Sequence, residues 1–124
     1  MIGQTQPDIV AIPTGTEFHH ELALRVLEHN VNIDIEKPLC TTLEDCRWAV
    51  AAAERHPALV WVGMEYRYMR PVARLVEEVA GGAIGQLRML AIREHRFPFL
   101  PKVGDWNRFA RNTGGTLVEL SLIH

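Results

Sequence analysis

The sequence predicts an α/β fold: a small parallel sheet with helices between its strands, then the start of an α+β unit with an open, mainly antiparallel sheet. Three observations predict it. Short apolar runs alternate with stretches of helical periodicity, the links between them are only a few residues long, and beyond Pro71 the pattern of the extended segments changes.

The first strand is Asp8-Ile9-Val10-Ala11-Ile12-Pro13, a continuously apolar run closed by Pro13-Thr14-Gly15, the pattern of a strand buried on both faces. A helix follows. Phe18, Leu22, Ala23, Val26 and Leu27 recur at helical spacing, and Asn30 stands where a left-handed residue would end the turn. Asn32-Ile33-Asp34-Ile35-Glu36 is the second strand, stopped by Lys37-Pro38. Thr41 and Thr42, followed by Glu44 and Asp45, offer a capping box for a second helix. Its apolar face is read as Leu43, Cys46, Val50 and Ala53, and it ends before Pro57. The third strand spans residues 59–64. Trp48 and Trp61 lie within apolar elements and are read as core.

Pro71 suits the first turn of a further helix with an apolar stripe of Val72, Leu75, Val76 and Val79, ended by Gly81-Gly82. From residue 86 to 97 runs an extended candidate in which Leu87, Met89 and Ala91 alternate with Arg88, Leu90 and Ile92, as in a half-exposed antiparallel strand. Pro98, Pro101 and Gly104 open a loop carrying Asp105-Trp106-Asn107-Arg108. Gly114-Gly115 precedes a helix start at Thr116.

Composition narrows the function classes. Over 124 residues the balance of 13 basic against 15 acidic side chains gives no strong field. The basic residues, eleven Arg and two Lys, are scattered, which argues against a nucleic-acid module. No apolar run reaches the roughly 18 residues that span a bilayer, and no signal-peptide pattern opens the chain. Cys40 and Cys46 form neither a C-x-x-C pair nor a zinc spacing, as in reduced thiols of a cytoplasmic protein. His19-His20-Glu21 is not H-E-x-x-H, because Leu24 stands in place of the second histidine, so no metal site is read. His56 and His95 are read as surface or satisfied residues.

The topology has a functional consequence. Successive parallel strands joined by right-handed crossovers send their exits to one carboxyl edge, where open α/β sheets bind ligands. Pro13-Thr14-Gly15, Glu36-Lys37-Pro38 and Glu65-Tyr66-Arg67-Tyr68 therefore share one cleft. Oxidising an alcohol by hydride transfer requires its hydroxyl proton to be removed or polarised, and an amine held at a dry sheet edge suits that task. By position alone Lys37 reads as a solvated strand-end lysine rather than a catalytic one, and Arg67 is equally an exposed arginine or a donor to substrate oxygens.

Five stretches in register carry a resemblance over essentially the whole chain. They are the strand and loop of residues 9–14, Glu36-Lys37-Pro38-Leu39 before Thr41-Thr42-Leu43-Glu44, Glu65-Tyr66-Arg67-Tyr68 ahead of Pro71, Gly82-Ala83-Ile84-Gly85, and Asp105-Trp106-Asn107-Arg108 through Gly114-Gly115 to Glu119. Together they resemble the glucose–fructose oxidoreductase/inositol dehydrogenase (Gfo/Idh/MocA) family. The resemblance implies an NAD(P)-dependent oxidoreductase acting on a sugar, polyol or cyclitol. Residues 1–68 would be the C-terminal part of a Rossmann-like dinucleotide-binding domain, and 69–124 the beginning of a substrate and oligomerisation domain. It further implies a cytoplasmic homo-oligomer when full length, with no nucleic-acid or membrane partner.

Carried over residue by residue, the resemblance makes Lys37 the catalytic lysine. Glu36 would lie near the nicotinamide ribose, with Pro13, Thr14 and Pro38 completing the cofactor contacts. Tyr66, Arg67, Trp106, Arg108 and Glu119 would contact substrate. His19 or His20 would replace a loop histidine that many members carry. The family pattern places a histidine four positions after its acidic residue, where this chain has Ile123; His124 follows one residue late as an out-of-register catalytic candidate. No G-x-G-x-x-G occurs in the sequence. On these departures the chain reads as a fragment or truncated product, with a noncatalytic binding, regulatory or remnant role as the alternative to an oxidoreductase.

Overall fold

The computed structural model describes residues 2–93 and 102–115. A four-residue helix, α1 (Ile2–Thr5), absent from the sequence reading, leads into β1 (Ile9–Ile12). A 3-10 turn at Thr16–Phe18 runs into α2 (His19–Leu27), which leads to β2 (Asn32–Glu36). α3 (Leu43–Ala53) connects β2 to β3 (Val60–Gly63). The three strands form one parallel sheet in the order β1-β2-β3, with Ile12 opposite Ile35 and Glu36 opposite Gly63. This is the expected Rossmann-like arrangement.

One face of this sheet is covered. Ala23 and Val26 of α2 pack with Ile12, Val31, Ile33 and Ile35, and Val10, Leu22, Leu27 and Val60 flank them. The register places Ala11, Asp34 and Trp61 on the opposite face, which explains why β1 is not buried on both sides: only Ile12 is buried, whereas Ile9 is 57% exposed. For the same reason Trp61 is not core. Its ring instead meets Tyr68, centroids 6.1 Å apart and tilted by 54°.

The helices correct the sequence reading at several positions. His19, Ala23 and Val26 form the buried stripe of α2, while Phe18 is exposed. Asn30 is not left-handed: α2 ends with Glu28 at φ −67°, the His29 N–H donating to the Val26 carbonyl at 2.9 Å and the Val31 N–H to the His29 carbonyl at 2.9 Å. These tighter bonds close the helix without a positive φ.

Thr42 caps α3 as the capping motif predicts, with Asp45 rather than Glu44 as its partner. Its hydroxyl accepts from the Asp45 N–H at 3.1 Å and donates to the Asp45 carboxylate at 2.7 Å. Such a cap is worth about 1 kcal/mol. The buried residue of α3 is Ala49, on a helix that packs against α2; Leu43, Trp48 and Val50 are exposed.

At the amino edge, Asn32 donates to the Asp8 carbonyl at 2.8 Å and accepts from the Leu59 N–H at 3.1 Å. His56 is half-buried, its ring nitrogens 2.9 Å from the His29 carbonyl and 3.1 Å from that of Ala58. It is thus a satisfied histidine.

α4 (Arg70–Ala80) carries Pro71 in its first turn. It closes where expected: the Ala83 N–H reaches the Glu78 carbonyl at 3.0 Å and the Gly82 N–H that of Val79 at 3.1 Å, with Gly82 at φ +77°. This is a Schellman ending, which needs a residue free of Cβ strain. Leu75 and Val76 of the predicted stripe are exposed. The predicted strand at 86–97 does not form over residues 86–93, which have no ladder partner among the described residues; alternation supplies β-propensity but a strand also needs a neighbour. Its remainder, including His95, and the helix start at Thr116 lie outside the described residues. Beyond a 3-10 segment at Val103–Arg108 comes α5 (Ala110–Thr113).

Candidate active site

The parallel register brings three strand exits to one edge. β1 delivers Pro13-Thr14-Gly15, β2 delivers Lys37-Pro38, and β3 delivers Met64 and a 3-10 turn, Glu65–Tyr68. Of the residues singled out from the sequence, Pro13, Thr14, Glu36 and Arg67 are exposed, Lys37 and Tyr66 half-buried, and Pro38 buried. The Lys37–Pro38 peptide is cis.

A Cβ at Gly63 would stand 3.4 Å from Glu36 Oε2, so the Glu36 carboxylate lies close over Gly63. A Cβ at Gly15 would meet Glu17 Oε2 at 2.7 Å, so that carboxylate folds back over the β1 exit.

The second segment reaches the same region. α5 packs against the Thr16–Phe18 turn and against the 3-10 segment that carries Trp106 and Arg108. Asn112 donates to the Trp106 carbonyl at 2.9 Å, and Arg108 Nε is paired with Asp105 at 3.2 Å. Trp106 is half-buried and Arg108 exposed. Glu119 and His124 lie outside the described residues.

His19 is the residue whose place the sequence left undecided against His20. It is fully buried, with Nδ1 2.8 Å from the Pro38 carbonyl and Nε2 3.1 Å from the Thr14 carbonyl. Its signal in the sequence is the spacing to Ala23 and Val26, which puts it on the apolar stripe of α2. His20 instead faces Asp45 at 3.4 Å.

Glu17 Oε2 and Asn107 Oδ1 are buried acceptors without a hydrogen-bond partner among the described residues. Unpaired buried acceptors suit a ligand that brings hydroxyl donors, and the ribose of a dinucleotide is one such group. Such acceptors are compatible with the ribose hydroxyls of a bound NAD(P). For the pyrophosphate the chain offers no Gly-rich turn. Among the described residues no three His, Cys, Asp or Glu side chains are grouped to hold a metal ion, and no helix is long and apolar enough to cross a membrane.

Cys40 follows this edge directly. Burial, then the neighbouring Cys46 and Asp45, push its thiol from 9.0 up to about 12. A raised value favours the neutral thiol in the fold, so that contribution to stability is complete below pH 9 and disappears as pH climbs toward about 12. We expect the denaturation midpoint to fall across this window and Cys40→Ala to flatten the decline. Alkylation followed by peptide mass spectrometry should find the half-buried Cys46 modified well before Cys40; equal rates would contradict the burial argument.

A parallel sheet whose exits gather an E-K-P turn, a Pro-Thr-Gly turn and a Tyr-Arg turn has the ligand-binding edge of a Rossmann-like α/β module. The chain belongs to the Gfo/Idh/MocA oxidoreductase family with an NAD-binding Rossmann fold, whose family profile matches residues 1–64. It is similar to D-glucoside 3-dehydrogenase of Escherichia coli, 25% identical over 98% of this chain and 35% of that protein. It is similar also to inositol 2-dehydrogenase 3 of Saccharopolyspora erythraea, 34% identical over 82% of this chain and 30% of that protein. Among solved structures, an inositol dehydrogenase homolog from Azotobacter vinelandii complexed with NADH and myo-inositol matches with a TM-score of 0.59 and 26% identity, over 65% of this chain and 21% of that one. The chain spans about a third of the length of the curated relatives it matches.

Proposed function

We propose that this chain forms part of an NAD(P)-dependent oxidoreductase that moves a hydride between nicotinamide and a hydroxyl or carbonyl of a sugar, polyol or cyclitol. The observation that carries the reading is Glu36-Lys37-Pro38 at the exit of the central strand, flanked by the β1 and β3 exits, in a chain of an NAD-binding family. The named activities of the relatives supply the substrate class.

Residues 1–68 serve as the C-terminal part of the dinucleotide-binding domain and residues 69–124 as the beginning of the substrate and oligomerisation domain. Pro13, Thr14, Glu36 and Pro38 line the nicotinamide half of the cofactor. Lys37 polarises the reacting hydroxyl and takes or returns its proton. Bound NAD(P) supplies the hydride acceptor or donor. Tyr66, Arg67, Trp106, Arg108 and Glu119 position the substrate, and His124 remains an out-of-register candidate for a proton-transfer role. The working protein is a cytoplasmic homo-oligomer with a small-molecule substrate and neither a nucleic-acid nor a membrane partner.

The reading is tested by following NAD(P)H absorbance while the protein carrying this segment is offered a panel of sugars, polyols and cyclitols. Turnover of none of them, with either cofactor, would overturn it. The 124 residues hold no Gly-rich turn to seat a pyrophosphate. Calorimetric titration of this chain with NADH is accordingly expected to give a dissociation constant above about 100 μM, weaker than about 5.5 kcal/mol of binding. Submicromolar binding would show that the remaining contacts suffice.

A further inference from the structure

We propose that His19 is a positioning residue for the candidate site: its imidazole clips the β1 exit to the β2 exit and thereby fixes where Lys37 stands. The proposal rests on the role given to Lys37 above, and its test separates the two.

Neighbouring parallel strands end side by side, and beyond the last ladder bond nothing in the sheet fixes the spacing of their exits. Here that spacing is set by a flat ring. His19 begins α2, is fully buried, and presents Nδ1 to the Pro38 carbonyl at 2.8 Å and Nε2 to the Thr14 carbonyl at 3.1 Å. No rotatable bond lies between the two nitrogens, so a ring that donates from both holds the carbonyls at the width of an imidazole. The shorter contact is to Pro38, the residue that follows Lys37 through a cis peptide. A ring with both nitrogens protonated donates to both carbonyls, and a neutral one donates to either.

A histidine at this place is not what packing alone would select. The stripe it shares with Ala23 and Val26 would take an apolar side chain without the cost of burying a polar ring. His56 supplies an internal comparison at the opposite edge of the sheet, away from Lys37: Nε2 lies 2.9 Å from the His29 carbonyl, while Nδ1 lies 3.1 Å from the Ala58 carbonyl and accepts from the Ala58 N–H at 3.3 Å. A backbone-bonded histidine at each end of one sheet separates an effect on the site from an effect on the fold.

The test is amide order parameters by NMR on the full 124-residue chain, comparing His19→Phe, His19→Gln and His56→Phe. In His19→Phe, Gly15, Leu39 and Cys40 should fall toward about 0.6, while Ile33 and Ile35 stay near about 0.85. His56→Phe should leave Gly15, Leu39 and Cys40 unchanged, and His19→Gln should recover part of the loss because its amide can still donate. Unchanged exits, or loosening spread equally over β2, would overturn the proposal.

Should His19→Phe not fold, the unmodified chain decides through its ring N–H signals. A His19 N–H shielded from water exchange supports the clip; one exchanging as fast as that of the exposed His29 overturns it. In a turnover assay, His19→Phe should lower kcat about ten- to a hundredfold with KM for NAD(P) changed less than about twofold. A rise in KM with kcat intact would also overturn it. By contrast, full turnover in Lys37→Met would remove the role assigned to Lys37 and leave the order-parameter result standing.

Discussion

Replacing Lys37 with Met is expected to lower kcat by about a hundredfold or more, the scale of general acid–base catalysis. Met keeps most of the stem that half-buries Lys37 and removes the amine, so packing at the β2 exit is changed little. Affinity for NAD(P) should shift much less, because most of its binding energy comes from the phosphate and adenosine parts. An interaction made mainly in the transition state lowers kcat without raising KM, and this split distinguishes proton transfer from ground-state binding. The measurement is steady-state kinetics of the Lys37→Met protein on a sugar or polyol that the parent oxidises. An unchanged kcat, or a loss confined to cofactor binding, would make Lys37 a solvated strand-end lysine.

What the chain disclosed in advance follows the range of the forces involved. β2 was legible with its bounds, because Ile33 and Ile35 alternate with polar residues and Pro38 punctuates the end. Thr42 was legible because a cap is made within one turn. The gathering of Thr14, Lys37 and Arg67 at one edge followed from strand order alone. Which face of an element is covered did not follow. Leu43 and Val50 mark an apolar stripe in the sequence, yet Ala49 is the residue of α3 that is buried, and Trp61 lies on the uncovered face. The segment at 86–93 has strand composition, but its state is set by a partner, which composition does not carry. His19 was illegible for a related reason: its meaning lies in two carbonyls, Thr14 and Pro38, that chain folding brings to its ring.

Ile35→Ala is expected to destabilise the chain by about 2–5 kcal/mol. Ile35 is 1% exposed, sits between Ile12 and Val62 in the register, and packs in the cluster with Ala23, Val26 and Ile33. Truncation there removes three carbons from the one covered face of a three-stranded sheet, and strands fixed by ladder bonds on both sides cannot close the gap. Domains of ordinary size are stable by only about 5–15 kcal/mol, so the loss is a large share of the whole. Ile9→Ala provides the contrast. Ile9 belongs to the same sheet but is 57% exposed on the uncovered face, and its truncation should cost under about 1 kcal/mol. Denaturant titration reads both, provided the slope m stays constant so that the midpoint shift reports stability. Equal shifts for the two variants would mean that the covered face of β2 is not where this chain stores its stability. A large shift for Ile35→Ala alone ties the integrity of the β2 exit, and with it the placement of Lys37 two residues on, to the packing of that single side chain.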